Sequence, residues 1–212
     1  MGKADIRIFI VDDDATFSKS LARLAKSIGY DVELFSSAND FLAMEPFDGT
    51  SCLLLDVRMP GLTGPDLQEE LNKRNISIPI IFLTAHGDMP TGIKAMKDGA
   101  VDFLLKPIEE HALFEAIDKA LDRDAQSKEQ RKEIEEAKRL VATLTPREHE
   151  TLRWLIIGML NKQVARFLEI TERTVKAHRG QIMRKLDVVS VAELVRLAQK
   201  ADVSPARESP KL

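Results

Sequence analysis

Ile6-Arg7-Ile8-Phe9-Ile10-Val11-Asp12-Asp13-Asp14 runs a short β-branched apolar segment into three consecutive carboxylates. A near-continuous apolar run of this length reads as a strand buried on both faces, since a half-exposed strand would alternate. Ser51-Cys52-Leu53-Leu54-Leu55, Ile78-Pro79-Ile80-Ile81-Phe82-Leu83 and Val101-Asp102-Phe103-Leu104-Leu105 share the style, and Val32-Glu33-Leu34-Phe35 adds a fifth strand. Between them, apolar residues recur three and four apart at Phe17, Leu21, Leu24 and Ile28, at Leu67 and Leu71, and at Ile93 and Met96. That is the spacing of helix faces. Five strands alternating with five helices predict a doubly wound, five-stranded parallel α/β sheet. Such sheets take ligands outside the carboxyl ends of their strands.

The chain has 212 residues, 44% hydrophobic and 31% charged, a soluble composition with room for one large or two modest domains. No apolar run approaches the roughly 18 residues of a membrane span. Met1-Gly2-Lys3-Ala4-Asp5 leads straight into the first strand with no signal-peptide core. A single cysteine, Cys52, excludes a disulfide framework and a cysteine-based zinc cluster. A cytoplasmic protein with no membrane partner is expected. Charge is uneven: residues 140–212 hold 13 Lys/Arg against 8 Asp/Glu, whereas residues 1–139 hold 18 against 26. A basic second half points to nucleic acid, and ordinary surface variation is the competing explanation.

Residues 122–139 contain 12 charged residues in 18 without Gly or Pro, which reads as a solvated helix, the alternative being a disordered charged linker. From Leu144 the chain reads as all helix. Thr145-Pro146-Arg147-Glu148 is a helix start, with apolar residues continuing through Leu152, Leu155, Ile156 and Met159 until Gly158 and Asn161 break the pattern. Gln163 to Leu168 forms a short helix, Thr171 caps a third that runs to Leu186, and Ser190 caps a fourth through Ala198. The expected organisation is a first domain over 1–121, a helical linker over 122–141, a four-helix domain over 142–203 and a disordered tail over 204–212.

Asp12 and Asp13 follow the first strand, Asp56 ends the third, Thr84 the fourth and Lys106 the fifth. Singly each has an ordinary explanation, and Asp14 is a natural N-cap for the next helix. Together they converge on one sheet edge. Clustered carboxylates call for a cation, and an all-oxygen set with open positions suits Mg²⁺. A carboxylate can attack a phosphoryl group to give an aspartyl-phosphate, with the metal and Lys106 offsetting charge on the transferring oxygens and Thr84 hydrogen-bonding the new group.

Residues 4–121 resemble a two-component receiver domain of flavodoxin-like fold. The matching pieces are Asp12-Asp13, Leu55-Asp56-Val57-Arg58-Met59-Pro60-Gly61, Thr84-Ala85-His86 and Lys106-Pro107. The resemblance implies Asp56 as phosphoacceptor, Mg²⁺ held by Asp12, Asp13, Asp56 and the backbone carbonyl of Arg58, Thr84 and Lys106 on the phosphoryl group, and a cis Lys106–Pro107 bond. It also implies a switch residue at Phe103, which has no hydroxyl and could register a change only through packing; a plain core aromatic is the other reading.

Thr171 to Lys185 carries Arg173, Lys176, Arg179, Arg184 and Lys185, with the single acid Glu172 at its amino end, where it suits the helix dipole. Val175, Ile182, Met183 and Leu186 are expected to face inward, with Lys176, His178 and Arg179 near one exposed side. A short helix, a tight turn at Glu169-Ile170-Thr171 and a basic helix make a helix-turn-helix pattern. Its alternative is a solvated basic face on a small bundle. Leu144-Thr145-Pro146-Arg147-Glu148, Asn161-Lys162-Gln163-Val164-Ala165 and Thr174-Val175-Lys176-Ala177-His178-Arg179, with Lys185-Leu186, are similar to the LuxR/NarL output domain. With the receiver, about 195 of the 212 residues resemble a FixJ-type response regulator. DNA contact then falls to Thr174, Lys176, Ala177, His178 and Arg179, with Lys162 and Lys185 nearer phosphates. Gly180 departs from the pattern, as relatives often carry a basic residue there, and it costs a helix roughly 1 kcal/mol relative to Ala.

The resemblance implies a non-enzymatic transcription factor with three kinds of partner: a sensor histidine kinase, promoter DNA and RNA polymerase. Phosphorylation would drive homodimerisation, or release inhibition of the output domain by the receiver; activation is the commoner outcome. A constitutive DNA-binding protein with a scaffold receiver is the alternative. An aspartyl-phosphate phosphatase or phosphotransferase is the enzyme-class rival. Enzymes that resemble the haloacid dehalogenases place a second Asp two residues after the nucleophile, where this chain has Arg58.

Overall fold

In a computed structural model of the chain, residues 6–85 and 89–206 are described. The N-terminal stretch 1–5, His86 and the tail beyond Ala206 lie outside them. The order is β1 (Ile6–Val11), α1 (Ala15–Ser27), β2 (Asp31–Phe35), α2 (Ala38–Leu42), β3 (Thr50–Asp56), α3 (Gly64–Lys73), β4 (Ile80–Thr84), α4 (Met89–Lys97), β5 (Asp102–Leu105) and α5 (Glu110–Ala142). Four helices follow: α6 (Pro146–Leu155), α7 (Asn161–Phe167), α8 (Glu172–Lys185) and α9 (Val191–Lys200). The chain divides into two compact units, 1–127 and 128–212, the division falling within the 33 residues of α5.

The first unit is the expected parallel sheet, in the order β2-β1-β3-β4-β5. Because strand residues alternate between faces, the apolar runs supply two cores. Ile8, Ile10, Cys52, Leu54, Ile81 and Leu83 pack with α1 and with Leu113, Ala116, Ile117 and Ala120 of α5. Phe9, Val11, Leu53, Leu55, Ile80 and Phe82 pack with Phe41, Leu67, Leu71 and Ala95 on the other side. Chain reversal places β2 and β3 on opposite sides of β1, so the carboxyl ends of β1 and β3 flank the switch point where such sheets open a crevice.

The helix α4 turns the other way from its apolar spacing. Ile93 and Met96 are about half exposed, and Ala95 is buried instead. Small residues let this helix sit close to the sheet, and a Cβ at Gly92 would meet the Phe103 ring at 3.4 Å. Leu105, on the edge strand β5, is also exposed.

In the second unit, Leu152, Leu155, Val164, Val175, Ile182, Leu186, Leu194 and Ala198 form one core. Thr145 and Glu148 form the expected capping box on α6. That helix stops at Leu155, short of Met159, where Gly158 adopts a left-handed φ of 82°. The expected disorder from Ser204 is corrected as far as Ala206. The Arg153 guanidinium donates to the carbonyls of Ser204 and Pro205, and Ala206 N–H donates to the Arg153 carbonyl.

Four helices end alike, with a non-glycine residue in the left-handed region: Asn75, Glu169, Asp187 and Asp202. After each, an apolar residue donates its N–H back across the turn: Ile76 to Leu71, Ile170 to Ala165, Val188 to Met183 and Val203 to Ala198. This six-to-one bond defines a Schellman ending.

Asp124 is a buried charge outside the candidate sites. It is 1% exposed, and its Oδ2 accepts the Ser51 N–H at 2.8 Å, tying α5 to the start of β3. Asp124→Ala removes the acceptor and leaves that donor unmatched. Urea unfolding followed by far-UV circular dichroism should show a loss of about 1–3 kcal/mol.

Candidate functional site

Register builds the acidic edge. Val11 pairs with Leu55 across β1 and β3, so Asp12 and Asp56 emerge side by side. Leu83 pairs with Asp56, and Thr84 with Leu105, which brings Thr84 and Lys106 to the same edge. The Lys106 N–H donates to the Thr84 carbonyl at 2.7 Å, and the following peptide to Pro107 is cis. The Lys106 ammonium then donates to Asp12 Oδ2 at 2.6 Å and Asp56 Oδ1 at 2.7 Å, with the Phe17 ring centroid 4.1 Å from Nζ. Backbone N–H groups take the remaining oxygens: Asp14 donates to Asp12 Oδ1 and Arg58 to Asp56 Oδ2.

Asp12, Asp56 and Thr84 are buried, whereas Asp13 is exposed. Burial pushes the Asp12 carboxyl above the usual carboxylate range against the pull of Lys106. Burial also opposes the Lys106 charge, but hydrogen bonds to both aspartates outweigh it and hold the ammonium above its ordinary value. Asp14 is the N-cap of α1, its carboxylate accepting from the N–H groups of Thr16 and Phe17.

Among the described residues, no three acidic, histidine or cysteine side chains are arranged to hold a metal ion. The Lys106 ammonium spans Asp12 and Asp56, and Asp13 stands apart from them as an exposed side chain. An all-oxygen edge with few carboxylates still fits Mg²⁺, which keeps several waters and takes only one or two carboxylates. Phe103 is half-buried, its ring 6.4 Å from that of Phe82 and against Gly92.

In the second unit, Thr171 caps α8, its Oγ1 accepting the Thr174 N–H and lying 2.8 Å from the Thr174 hydroxyl. Val175, Ile182 and Leu186 are buried and Met183 half-buried, which turns Arg173, Lys176, Ala177, Gly180 and Arg184 to solvent. His178 and Arg179 lie half-buried on the flanks of that face, not at its centre. Lys162 is exposed near the start of α7. Arg173 and Arg184 join the outer face; their signal is the three- and four-residue spacing through Lys176 and Gly180, readable once the buried positions are known.

Lys185 has a partner inside the unit. Its ammonium donates to Glu148 Oε2 at 2.6 Å and to the Thr143 carbonyl at 3.2 Å, so its charge is committed to a buried carboxylate. Glu148 is legible as a cap from Thr145 three residues before it, but nothing local marks a partner 37 residues away.

An acidic crevice at the switch point of a receiver-type sheet, and a basic helix in a helix-turn-helix unit, together define a response regulator with a DNA-binding output. Residues 8–118 match the family described as Response regulator receiver domain, and residues 142–198 match Bacterial regulatory proteins, luxR family. The chain belongs to the FixJ-type response regulators, a receiver joined to a LuxR-type DNA-binding domain. It is 44% identical over 197 residues to Nodulation protein W of Bradyrhizobium diazoefficiens, covering 93% of this chain and 87% of that protein. Identity to the Transcriptional regulatory protein FixJ of the same organism is 39% over 194 residues, covering 92% and 95%. Among solved structures, the response regulator StyR is 45% identical with a TM-score of 0.82, covering 92% of this chain and 98% of that one. Full-length FixJ from B. japonicum is 39% identical with a TM-score of 0.56, covering 92% and 97%.

The Lys185 ion pair and the Thr145 N–H hold the Glu148 carboxyl down at about 2, against an ordinary value of 4.5. A depressed folded-state pKa gives stabilisation that is complete above about pH 4.5 and lost as pH falls toward 2. The single tryptophan, Trp154, lies in the same unit, stacked on Phe167 at 4.4 Å. Trp154 fluorescence should therefore show acid loss of structure inside that window. Lys185→Met should move the midpoint to higher pH, and Glu148→Gln should remove this part of the pH dependence.

Proposed function

We propose that phosphorylation of Asp56 by a sensor histidine kinase controls promoter binding by the second unit, and that this works in the cytoplasm. The observation that carries the reading is the position of Asp56, 6% exposed at the switch point with Lys106 on one oxygen. In the transfer, an Asp56 oxygen forms the new O–P bond while the P–N bond of the kinase phosphohistidine breaks, and the freed imidazole takes up a proton. Lys106 offsets charge on the transferring oxygens, and the Thr84 hydroxyl reads the product. One or two of the Asp12, Asp13 and Asp56 carboxylates, with the Arg58 carbonyl, would hold Mg²⁺, and water would complete its shell. When bound, Mg²⁺ supplies charge neutralisation at the phosphoryl group.

The added charge of about −1.5 to −2 then biases the surface formed by α4, β5 and Phe103. Exposed Ile93, Met96 and Leu105 give that surface an apolar character suited to a second receiver. Paired receivers would bring two basic helices to half-sites about one DNA turn apart, from which RNA polymerase is recruited and transcription activated.

The test is binding to duplex DNA at fixed salt, with and without Mg²⁺ plus beryllofluoride, for wild type and Asp56→Ala. Salt is held constant because phosphate contacts dominate affinity. Beryllofluoride should tighten wild-type binding and leave the variant unmoved; equal binding throughout would favour a constitutive DNA-binding protein. In the same buffers, Met96→Glu should abolish beryllofluoride-induced dimerisation in sedimentation velocity. Repeated turnover of p-nitrophenyl phosphate would revive the phosphatase reading.

A further inference from the structure

Glycine inside a helix calls for a reason, since it disfavours that helix relative to alanine. Elsewhere in this chain the reasons are internal. At Gly64 an added Cβ would run into the Asp56 carbonyl and the Phe82 ring, at Gly92 it would press on Phe103, and outside the helices Gly158 needs its positive φ. Gly180 has neither kind. Its φ is helical, it is exposed, and an added Cβ would meet nothing within 4 Å. The folded protein by itself gives no use for a glycine at this position.

Its surroundings supply one. Gly180 lies at the middle of the outer face of α8, beside exposed Ala177, with Arg173 and Lys176 toward one end and Arg184 toward the other. At 1.5 Å per residue, Arg173 to Arg184 spans about 16 Å. The face is thus a bare patch of backbone and one methyl, bracketed by cations. Three cations suit phosphates on either side of a groove, and a face without side chains between them lets the helix backbone approach base edges closely.

We infer that Gly180 is a specificity-determining residue: with Ala177 it forms a notch that sets how deeply α8 seats in the major groove. The inference rests on the DNA-binding reading of α8. A side chain at 180 would hold the helix away from the base pairs beneath it, while the phosphate contacts of Arg173, Lys176 and Arg184 would persist. In the notch, the Ala177 methyl is suited to apolar contact with a thymine methyl.

The experiment is selection from a pool of duplex DNA with a randomised core. It uses the full-length protein with Mg²⁺ and beryllofluoride at fixed salt, as wild type, Gly180→Ala and Gly180→Leu. Trp154 fluorescence in urea serves as the folding control, and both variants should unfold at or above the wild-type midpoint, as both residues favour helix and the position is exposed. The expected result is a wild-type motif that Gly180→Leu binds at least about tenfold more weakly, the scale of one mismatched base pair. Gly180→Ala should show a smaller loss, and binding to the unselected pool should stay within about twofold, because phosphate contacts carry it. Reselection with Gly180→Leu should change a short contiguous block of bases. If both variants bind the wild-type motif as wild type does, the inference is overturned and the DNA-binding reading stands. If the wild type enriches no motif, sequence-specific binding itself fails and the inference falls with it. A variant that unfolds early would also overturn it, by showing an internal need for glycine.

Discussion

One ammonium group lets the acidic edge exist. Asp12 and Asp56 leave adjacent strands of one parallel sheet at the same level, and both are buried. Two carboxylates so placed would not both stay ionised without a counter-charge. Lys106 supplies it from the far strand, and it can reach only because β4 and β5 are in register with β3. Sheet order, register and the length of the fifth strand are therefore tied to a single three-centre contact. The phosphoacceptor chemistry proposed for Asp56 borrows a charge balance that the fold already needs.

The second unit separates support from display. Val175, Ile182 and Leu186 hold α8 in the core, Thr171 caps its start, and Lys185 neutralises Glu148 behind it. None of these residues belongs to the outer face. The cations that face solvent contribute nothing to the packing of the core, so their identity answers to whatever docks there.

Much of this was legible beforehand, for a physical reason. Strands buried on both faces must be apolar where they are buried, which is why Ile8 to Val11 of β1 can be read residue for residue and the acidic edge follows from its end. Caps are equally local: Thr145, Thr171 and Ser190 each lie three residues from the N–H they accept. What escaped the sequence depends on distant partners. Ile93 and Met96 have helical spacing, but spacing alone cannot show that the helix packs through Gly92 and Ala95. Lys185 looks like any basic residue on a basic helix until Glu148 is beside it. Ser204 to Ala206 has the composition of a loose tail, and Arg153, some fifty residues earlier, holds it.

The Schellman ending of α7 bears on recognition. The turn into α8 carries Glu169 in the left-handed region, and its shape is held by the Ile170 N–H and by the packing of Ile170 on the core. No flexible glycine hinges the two helices. The backbone of α8 is thus ordered before any ligand arrives, and the conformational entropy lost on docking is mainly that of its exposed Arg and Lys side chains. Differences in affinity between one duplex and another should then arise in the contacts themselves and in the bending of the DNA, with little share taken by ordering of the backbone.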